Sequence, residues 1–479
     1  MAAPMDRLTE VCTELERWVR EDLERGDPGT GGVHRLTELF RQAVYREMAD
    51  EQIFKLILKI FSRGSQEVQA QIGAYDPSLE RWFDMLAECF RCLRNACVQC
   101  TQNQDAIRNV GLIEESVSLL QVYSSSDTSQ ESCLAAFRCG LQFLGNVAGG
   151  NQDSQNSIWK QAFPHLFLNC LTHADDKVAA YSSMVLFTCM GDDKMAELMD
   201  PANLSVALST ITASSKRPDS EWLHLIVTDR FLRCPELVKQ MFAEQSHSDR
   251  VVLLELILAK VSEKTPLSEA EVVSLQGIAE FLCDRFQDQC QSVLKLADPG
   301  DCDQQEALVV IRVLDLLCEM TSDNEHLTCL QSCPGLLDTV VYTLRLTHLA
   351  GKQSKNVFTS VHSASLGADL THAAVGFKAH LIRLIANLCF RNKENQDKIY
   401  QLDGIPLILD NCSIDDNNPF LNQWAVYAIR NLTEQNEKNQ ELIASMERQG
   451  LADTSQLESM GLHVEERDSK LILKSVKKM

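Results

Sequence analysis

The chain has 479 residues, with 45 Lys and Arg against 67 Asp and Glu, for a net charge of -22. So acidic a surface repels phosphate backbones and anionic membranes, which argues against general nucleic-acid binding. Apolar residues make up 45% and aromatics only 6%, so Leu, Ala, Ile and Val dominate, which suits packed helices better than β-sandwiches.

A chain of this length outgrows a single core, so several domains or one elongated array are expected. No apolar run approaches the roughly 20 residues needed to span a bilayer, and no membrane insertion is expected. The start, Met1-Ala2-Ala3-Pro4, has no apolar signal region, Ala2 stands where myristoylation needs glycine, and Lys477-Lys478-Met479 lacks a prenylation cysteine. A cytoplasmic, reducing compartment is therefore expected. The 18 cysteines then read as small buried hydrophobes and not as a disulfide framework.

In chain order, residues 1–34 read as an amphipathic helix and a Gly-rich linker. Residues 35–200 carry armadillo-like repeats, and residues 201–344 carry helices in which the repeat signature is lost. Residues 345–375 lack periodicity and read as a flexible loop. Residues 376–450 return to clear repeats. In the tail, 451–479, Leu462, Val464, Leu471 and Leu473 alternate around a charged turn, which predicts a small β-hairpin that either caps the last repeat or offers an edge for self-association.

The repeat rests on one register. Asn95, Asn146, Asn387 and Asn431 each end an apolar helical stretch, and each is followed nine positions later by Gln104, Gln155, Gln396 or Gln440. Three positions after each Gln stands Ile107, Ile158, Ile399 or Ile443. Pro406 and Pro419 suit the first turn of following helices, with Asn418 as the expected cap before Pro419. The unit reads as a short helix, a second helix and a long third helix. The last two asparagines are 44 residues apart (431−387), within the period of armadillo and HEAT repeats. The fold class is all-α, a right-handed armadillo/HEAT-like helical solenoid.

Cys89, Cys92, Cys97 and Cys100 invite a zinc reading, but on one helix they would spread over about 16 Å, too far for one metal. There is no P-loop, dinucleotide fingerprint, nucleophile elbow or zinc-protease motif, so no cofactor, metal or catalytic residue is expected. The candidate binding residues are Asn95, Asn146, Asn387 and Asn431. In armadillo proteins such an Asn lines a groove and binds the backbone of an extended peptide, and the alternative is that its amide ties neighbouring repeats together. Arg91 and Arg383 lie four positions before an Asn, and Arg94 and Arg430 one position before. They suggest a locally positive groove for an acidic or phosphorylated segment, or else pairing with carboxylates of adjacent repeats.

Several stretches together resemble one family. They are Glu88-Cys89-Phe90-Arg91-Cys92-Leu93-Arg94-Asn95-Ala96-Cys97, Ala136-Phe137-Arg138-Cys139-Gly140-Leu141-Gln142-Phe143-Leu144-Gly145-Asn146, Asp403-Gly404-Ile405-Pro406-Leu407-Ile408-Leu409-Asp410-Asn411-Cys412, and Lys470-Leu471-Ile472-Leu473-Lys474-Ser475. The resemblance is to the vertebrate ataxin-10 family, and it covers the chain from about residue 78. It implies a non-enzymatic protein-binding scaffold with roles in cytokinesis and in neuronal survival and neurite formation. It also implies presence in the perinuclear cytoplasm, midbody, centriole and cilium basal body. Implied partners are O-linked N-acetylglucosamine transferase, a G-protein β subunit, mitotic kinases and a ciliary basal-body protein, with homo-oligomers formed through the C-terminal region. Two other functions are weighed. One is an adaptor regulating a partner enzyme, such as that transferase or G-protein/Ras-MAP kinase signalling. The other is a transport receptor with cargo peptides in the groove, against which stand Arg91, Gln142, Arg383 and Tyr427 where importin-type grooves carry Trp.

Overall fold

The computed structural model describes residues 4–21, 23, 31–71, 77–125, 130–263, 265–297, 304–322, 325–360, 372–412, 415–446, 462–467 and 470–475. The chain divides into two compact units, Met1–Glu244 and Gln245–Met479.

The first unit opens with α1 (Pro4–Glu21), which buries Leu8, Val11, Leu15 and Val19, a spacing of three and four that makes one helix face. It continues through α2 (Gly31–Leu39), α3 (Ala43–Glu47), α4 (Glu51–Gln71), α5 (Pro77–Ala96), α6 (Thr101–Asn109), α7 (Leu112–Ser125) and α8 (Glu131–Ala148). Next come α9 (Gln152–Ala162), α10 (His165–Leu171), α11 (Asp176–Cys189), α12 (Met195–Leu198), α13 (Leu204–Lys216), α14 (Glu221–Asp229) and α15 (Pro235–Glu244). Each kind of helix stacks on its own kind. Third helices run α5 on α8, α8 on α11 and α11 on α14; second helices run α4 on α7, α7 on α10 and α10 on α13; first helices run α3 on α6 and α6 on α9. That threefold ladder of three-helix units is a helical repeat solenoid. Gly140 on α8 marks the closest approach: a Cβ there would stand 2.6 Å from Leu120 and 2.9 Å from Phe90, so no larger residue fits without moving a packed neighbour.

The second unit holds α16 (His247–Val261), α17 (Glu269–Gln289), α18 (Gln304–Met320), α19 (Leu336–Gln353), α20 (Phe377–Cys389), α21 (Lys393–Gln401), α22 (Gly404–Asp410), α23 (Leu421–Thr433) and α24 (Glu437–Ser445). Its third-helix ladder runs α16, α18, α20, α23. The hairpin read from the tail is present: β1 (Leu462–Arg467) pairs antiparallel with β2 (Lys470–Ser475), with Val464 opposite Leu473.

Three details differ from the sequence reading. Helix α19 runs to Gln353, eight residues past the start of the expected loop at 345; residues 361–371 of that loop lie outside the described residues. The four cysteines from Cys89 to Cys100 do not share one helix, because α5 ends at Ala96 and Cys100 stands just before α6. Asn418 does not cap α23: Phe420 holds that position. Asn418 turns away instead, accepting the Lys378 backbone N–H at 3.0 Å and donating to Asp415 at 2.8 Å. Asp415 is buried beside the ammonium of Lys378, 3.4 Å away, and this charged centre needs every bond it receives.

Among the described residues, no helix is long and apolar enough to cross a membrane. Most cysteines lie in the cores. Cys89, Cys92 and Cys97 are buried where α5 packs, and Cys100 stands at the start of α6.

Candidate protein-binding surface and the asparagine ladder

The turn between a third helix and the next repeat has the same backbone in all four copies. Four residues after the ladder Asn stand Gln99, Gly150, Arg391 and Gln435, with φ of 52°, 73°, 52° and 54°. This left-handed residue stops the helix and reverses the chain. One residue later, Asn151, Asn392 and Asn436 cap α9, α21 and α24 by accepting the backbone N–H of Ser154, Asn395 and Asn439. In the first copy Cys100 holds that place and makes no side-chain cap.

The ladder asparagines donate into the preceding repeat. Asn146 Nδ2 reaches the carbonyl of Arg94 at 3.0 Å, and Asn431 Nδ2 reaches that of Ala386 at 2.9 Å. Asn95 donates to the Thr37 carbonyl, and Asn387 donates to Cys318 and Thr321. Two of the glutamines answer in the other direction, whereas Gln155 and Gln440 donate to Ala148 and Thr433 within their own repeats. Gln104 Nε2 donates to the carbonyls of Asn146 and Gly149, each at 2.9 Å, and Gln396 Nε2 donates to that of Asn431 at 2.9 Å. These bonds satisfy the carbonyls that every helix C-terminus leaves over. The side-chain amides are therefore engaged between repeats, and Asn387 and Asn431 are buried.

The cap asparagines were missed in the sequence. Asn151 Nδ2 donates to Asp105 at 2.9 Å, and Asn436 Nδ2 donates to Asp397 at 3.0 Å. The Asn151 amide holds the Asp105 carboxyl below its usual range. Burial works against the charged form of Asp397, but the bonds from Asn436 and Lys393 outweigh it and hold that carboxyl low as well. The available signal was an Asn five positions after the ladder Asn in three of four copies.

The four arginines meet different fates. Arg91 bonds Glu88 on its own helix at 2.9 Å, and Arg94 donates to Gln142 on α8. Arg383 bonds Glu319 on α18 at 3.0 Å and lies 5.0 Å over the Trp424 ring. Arg430 is exposed, with no ion pair among the described residues. Two arginines thus pair with carboxylates, one across repeats, while Arg94 keeps a neutral partner and Arg430 faces water. No group of three or more metal-binding side chains occurs among the described residues.

A family model described as "Spinocerebellar ataxia type 10 protein domain" matches residues 377–474, the stretch that runs from α20 through the hairpin. The chain is 64% identical to Ataxin-10 of Xenopus tropicalis over 481 residues, covering 100% of this chain and 99% of the relative. It is 50% identical to Ataxin-10 of Homo sapiens over 449 residues, covering 93% and 94%. A solved structure titled for a phosphorylation switch between cadherin and beta-catenin is similar at a TM-score of 0.35 and 13% identity, over 86% of this chain and 72% of that one. The helix ladders and the relatives agree on a helical scaffold-type protein, and the chain belongs to the ataxin-10 family.

Proposed function

We infer that the chain is a non-enzymatic armadillo-type adaptor that holds acidic or phosphorylated segments of partner proteins along its third-helix surface. One observation carries this reading. The ladder amides are spent between repeats, while Arg94 and Arg430, beside them in sequence, keep their charge unpaired by carboxylate. On a chain of net charge -22, unneutralised guanidinium groups are the natural contact for carboxylate or phosphate.

Family membership supports the roles proposed with it, in cytokinesis and in neuronal survival and neurite formation, at the midbody, centriole and cilium basal body. It supports O-linked N-acetylglucosamine transferase, a G-protein β subunit, mitotic kinases and a ciliary basal-body protein as partners. The test is calorimetric titration of the purified transferase into the full chain. Arg430→Ala should weaken binding about tenfold while the helical spectrum stays unchanged, the size of loss usual for one well-placed charged contact. Equal affinity for both chains would remove Arg430 from the binding surface.

A further inference from the structure

A first-helix position that the sequence does not advertise stands before α20. The 3-10 helix Glu325–Ser332 carries Gln331, whose Nε2 donates to the carbonyls of Asn387 at 3.2 Å and Phe390 at 3.1 Å. These are a ladder Asn and the residue three places on, the same two carbonyls that Gln104 meets at Asn146 and Gly149. Asn395 Nδ2 closes the junction by donating to the Gln331 carbonyl at 2.8 Å. Gln331 therefore joins the helices that lost the signature to the repeats that keep it.

Two residues later stands Cys333, packed against α17. Gln287 Nε2 lies 4.0 Å from its sulfur. Gly335, at φ 78°, keeps this turn close to the helix: a Cβ there would stand 2.6 Å from Gln287 Oε1. One helical turn before Gln287, on the same face of α17, is Cys283. Cys283 is buried, whereas Cys333 is half-buried. Cys333 also lines an open cleft with Gln331, Asn395 and Lys398, which gives small solutes a path to its sulfur. The Cys283 S–H donates to Cys333. That bond holds the Cys333 thiol below its ordinary value, against burial and the charges of Asp284 and Glu280, and it pushes the Cys283 thiol up. An accessible sulfur inclined to ionise, beside a second thiol that keeps its proton, is the arrangement of an oxidant-sensing pair. Cys329, four residues before Cys333, is half-buried too, but burial pushes its thiol up.

We propose that Cys333 and Cys283 close a reversible disulfide when the chain meets hydrogen peroxide, and that this bond braces the Gln331 junction by tying it to α17. The Cys333 thiolate attacks one peroxide oxygen. The O–O bond breaks, hydroxide leaves with the proton that Cys333 gave up, as water, and Cys333 becomes a sulfenic acid. The Cys283 sulfur then attacks the Cys333 sulfur. The S–OH bond breaks, the hydroxyl takes the Cys283 proton and leaves as a second water, and the S–S bond forms. Two thiols and one peroxide thus give one disulfide and two waters. Thiol reductants reverse it by exchange, as transient disulfides in reducing compartments require.

The test is treatment of the full chain with hydrogen peroxide, followed by alkylation, proteolysis and peptide mass mapping. The expected product is one linked pair of peptides carrying Cys283 and Cys333, which dithiothreitol separates. Cys329→Ser should keep the link and Cys333→Ser should lose it. Cys283 is buried, so Cys283→Ala is checked by circular dichroism. In that variant dimedone should trap a sulfenic acid at Cys333 at least about tenfold faster than at Cys329. The brace is read on the unmutated chain, where oxidation should slow hydrogen exchange of the 329–333 amides about tenfold and dithiothreitol should restore it. Absence of a link, a link from Cys329 to either sulfur, or oxidation of Cys333 to sulfinic acid in its place would overturn the pair. A Cys283–Cys333 link with unchanged or faster exchange would overturn the brace.

Discussion

The junction joining α5 and α6 to α8 and α9 uses the same amides as the junction joining α20 and α21 to α23 and α24, but the two differ at the rim. In the first, Arg108 pairs with Asp105 at 2.8 Å and Asp153 at 3.8 Å, and donates to the Asn151 side chain at 3.2 Å. In the second, the equivalent of Arg108 is Tyr400 and the equivalent of Asp153 is Lys438, whose ammonium lies 3.8 Å over the Tyr400 ring. Cation and partner have changed sides. The inner bonds end on main-chain carbonyls, which any sequence presents at a helix end, so the same amides recur. The rim joins one side chain to another, so both members change together.

The comparison breaks first at the cap asparagines. Asn436 is fully buried and Asn151 nearly so, and each combines a helix cap with a bond across repeats. Asn436→Ala and Asn151→Ala should each cost about 2–3 kcal/mol in urea unfolding, a cap plus a stranded buried partner. A large loss at one junction only would end their equivalence. Gln396→Leu and Gln104→Leu should cost about 1–2 kcal/mol each by the same measurement, since each strands buried carbonyls.

A smaller effect is expected where the signature is missing. Asp175 caps α11 and bonds Arg138, which holds its carboxyl below the usual range. A depressed folded pKa gives stability that is fully present above the unfolded value and lost as pH falls through the folded one. Asp175→Asn should therefore flatten the acid limb of a thermal-melting series and leave its neutral region nearly parallel to the parent.

At the rim, Arg108→Tyr and Asp153→Lys should each cost under about 1 kcal/mol, as exposed pairs do. Together they should recover part of the loss by recreating the cation–π contact of the other junction. The smallest change is a gain. Arg391 and Gln435 hold left-handed backbone without being glycine, as Gly150 does at no such cost. Arg391→Gly should raise the unfolding free energy by about 0.5–1 kcal/mol in the same urea titration.

The fold class, the repeat register and the hairpin were legible because each shows as periodicity in the chain itself. The cap asparagines were equally periodic but were not read as caps, since an Asn reads as a cap only once the residue before it is seen to be left-handed. The ladder asparagines were legible as residues and ambiguous in role, because their partners are main-chain carbonyls that leave no trace in the sequence. Pairing of the arginines with carboxylates was legible as an alternative, but the partner on another helix could not be named. Glu319 lies 64 residues from Arg383, and only the stacking of α18 on α20 brings them together. The mistaken role of Asn418 has the same origin: its partners are Asp415 nearby and Lys378 on a different helix.

The account divides labour between amides that build the array and guanidinium groups that bind partners. Its most direct test is one titration series with the purified transferase on two folded variants, Asn95→Ser with Asn146→Ser, and Arg94→Ala with Arg430→Ala. The account predicts that the asparagine pair unfolds at lower urea yet keeps its affinity, while the arginine pair keeps its unfolding midpoint and loses affinity at least about tenfold. The reverse pattern, with affinity following the asparagines, would contradict it and place the binding groove on the ladder amides themselves.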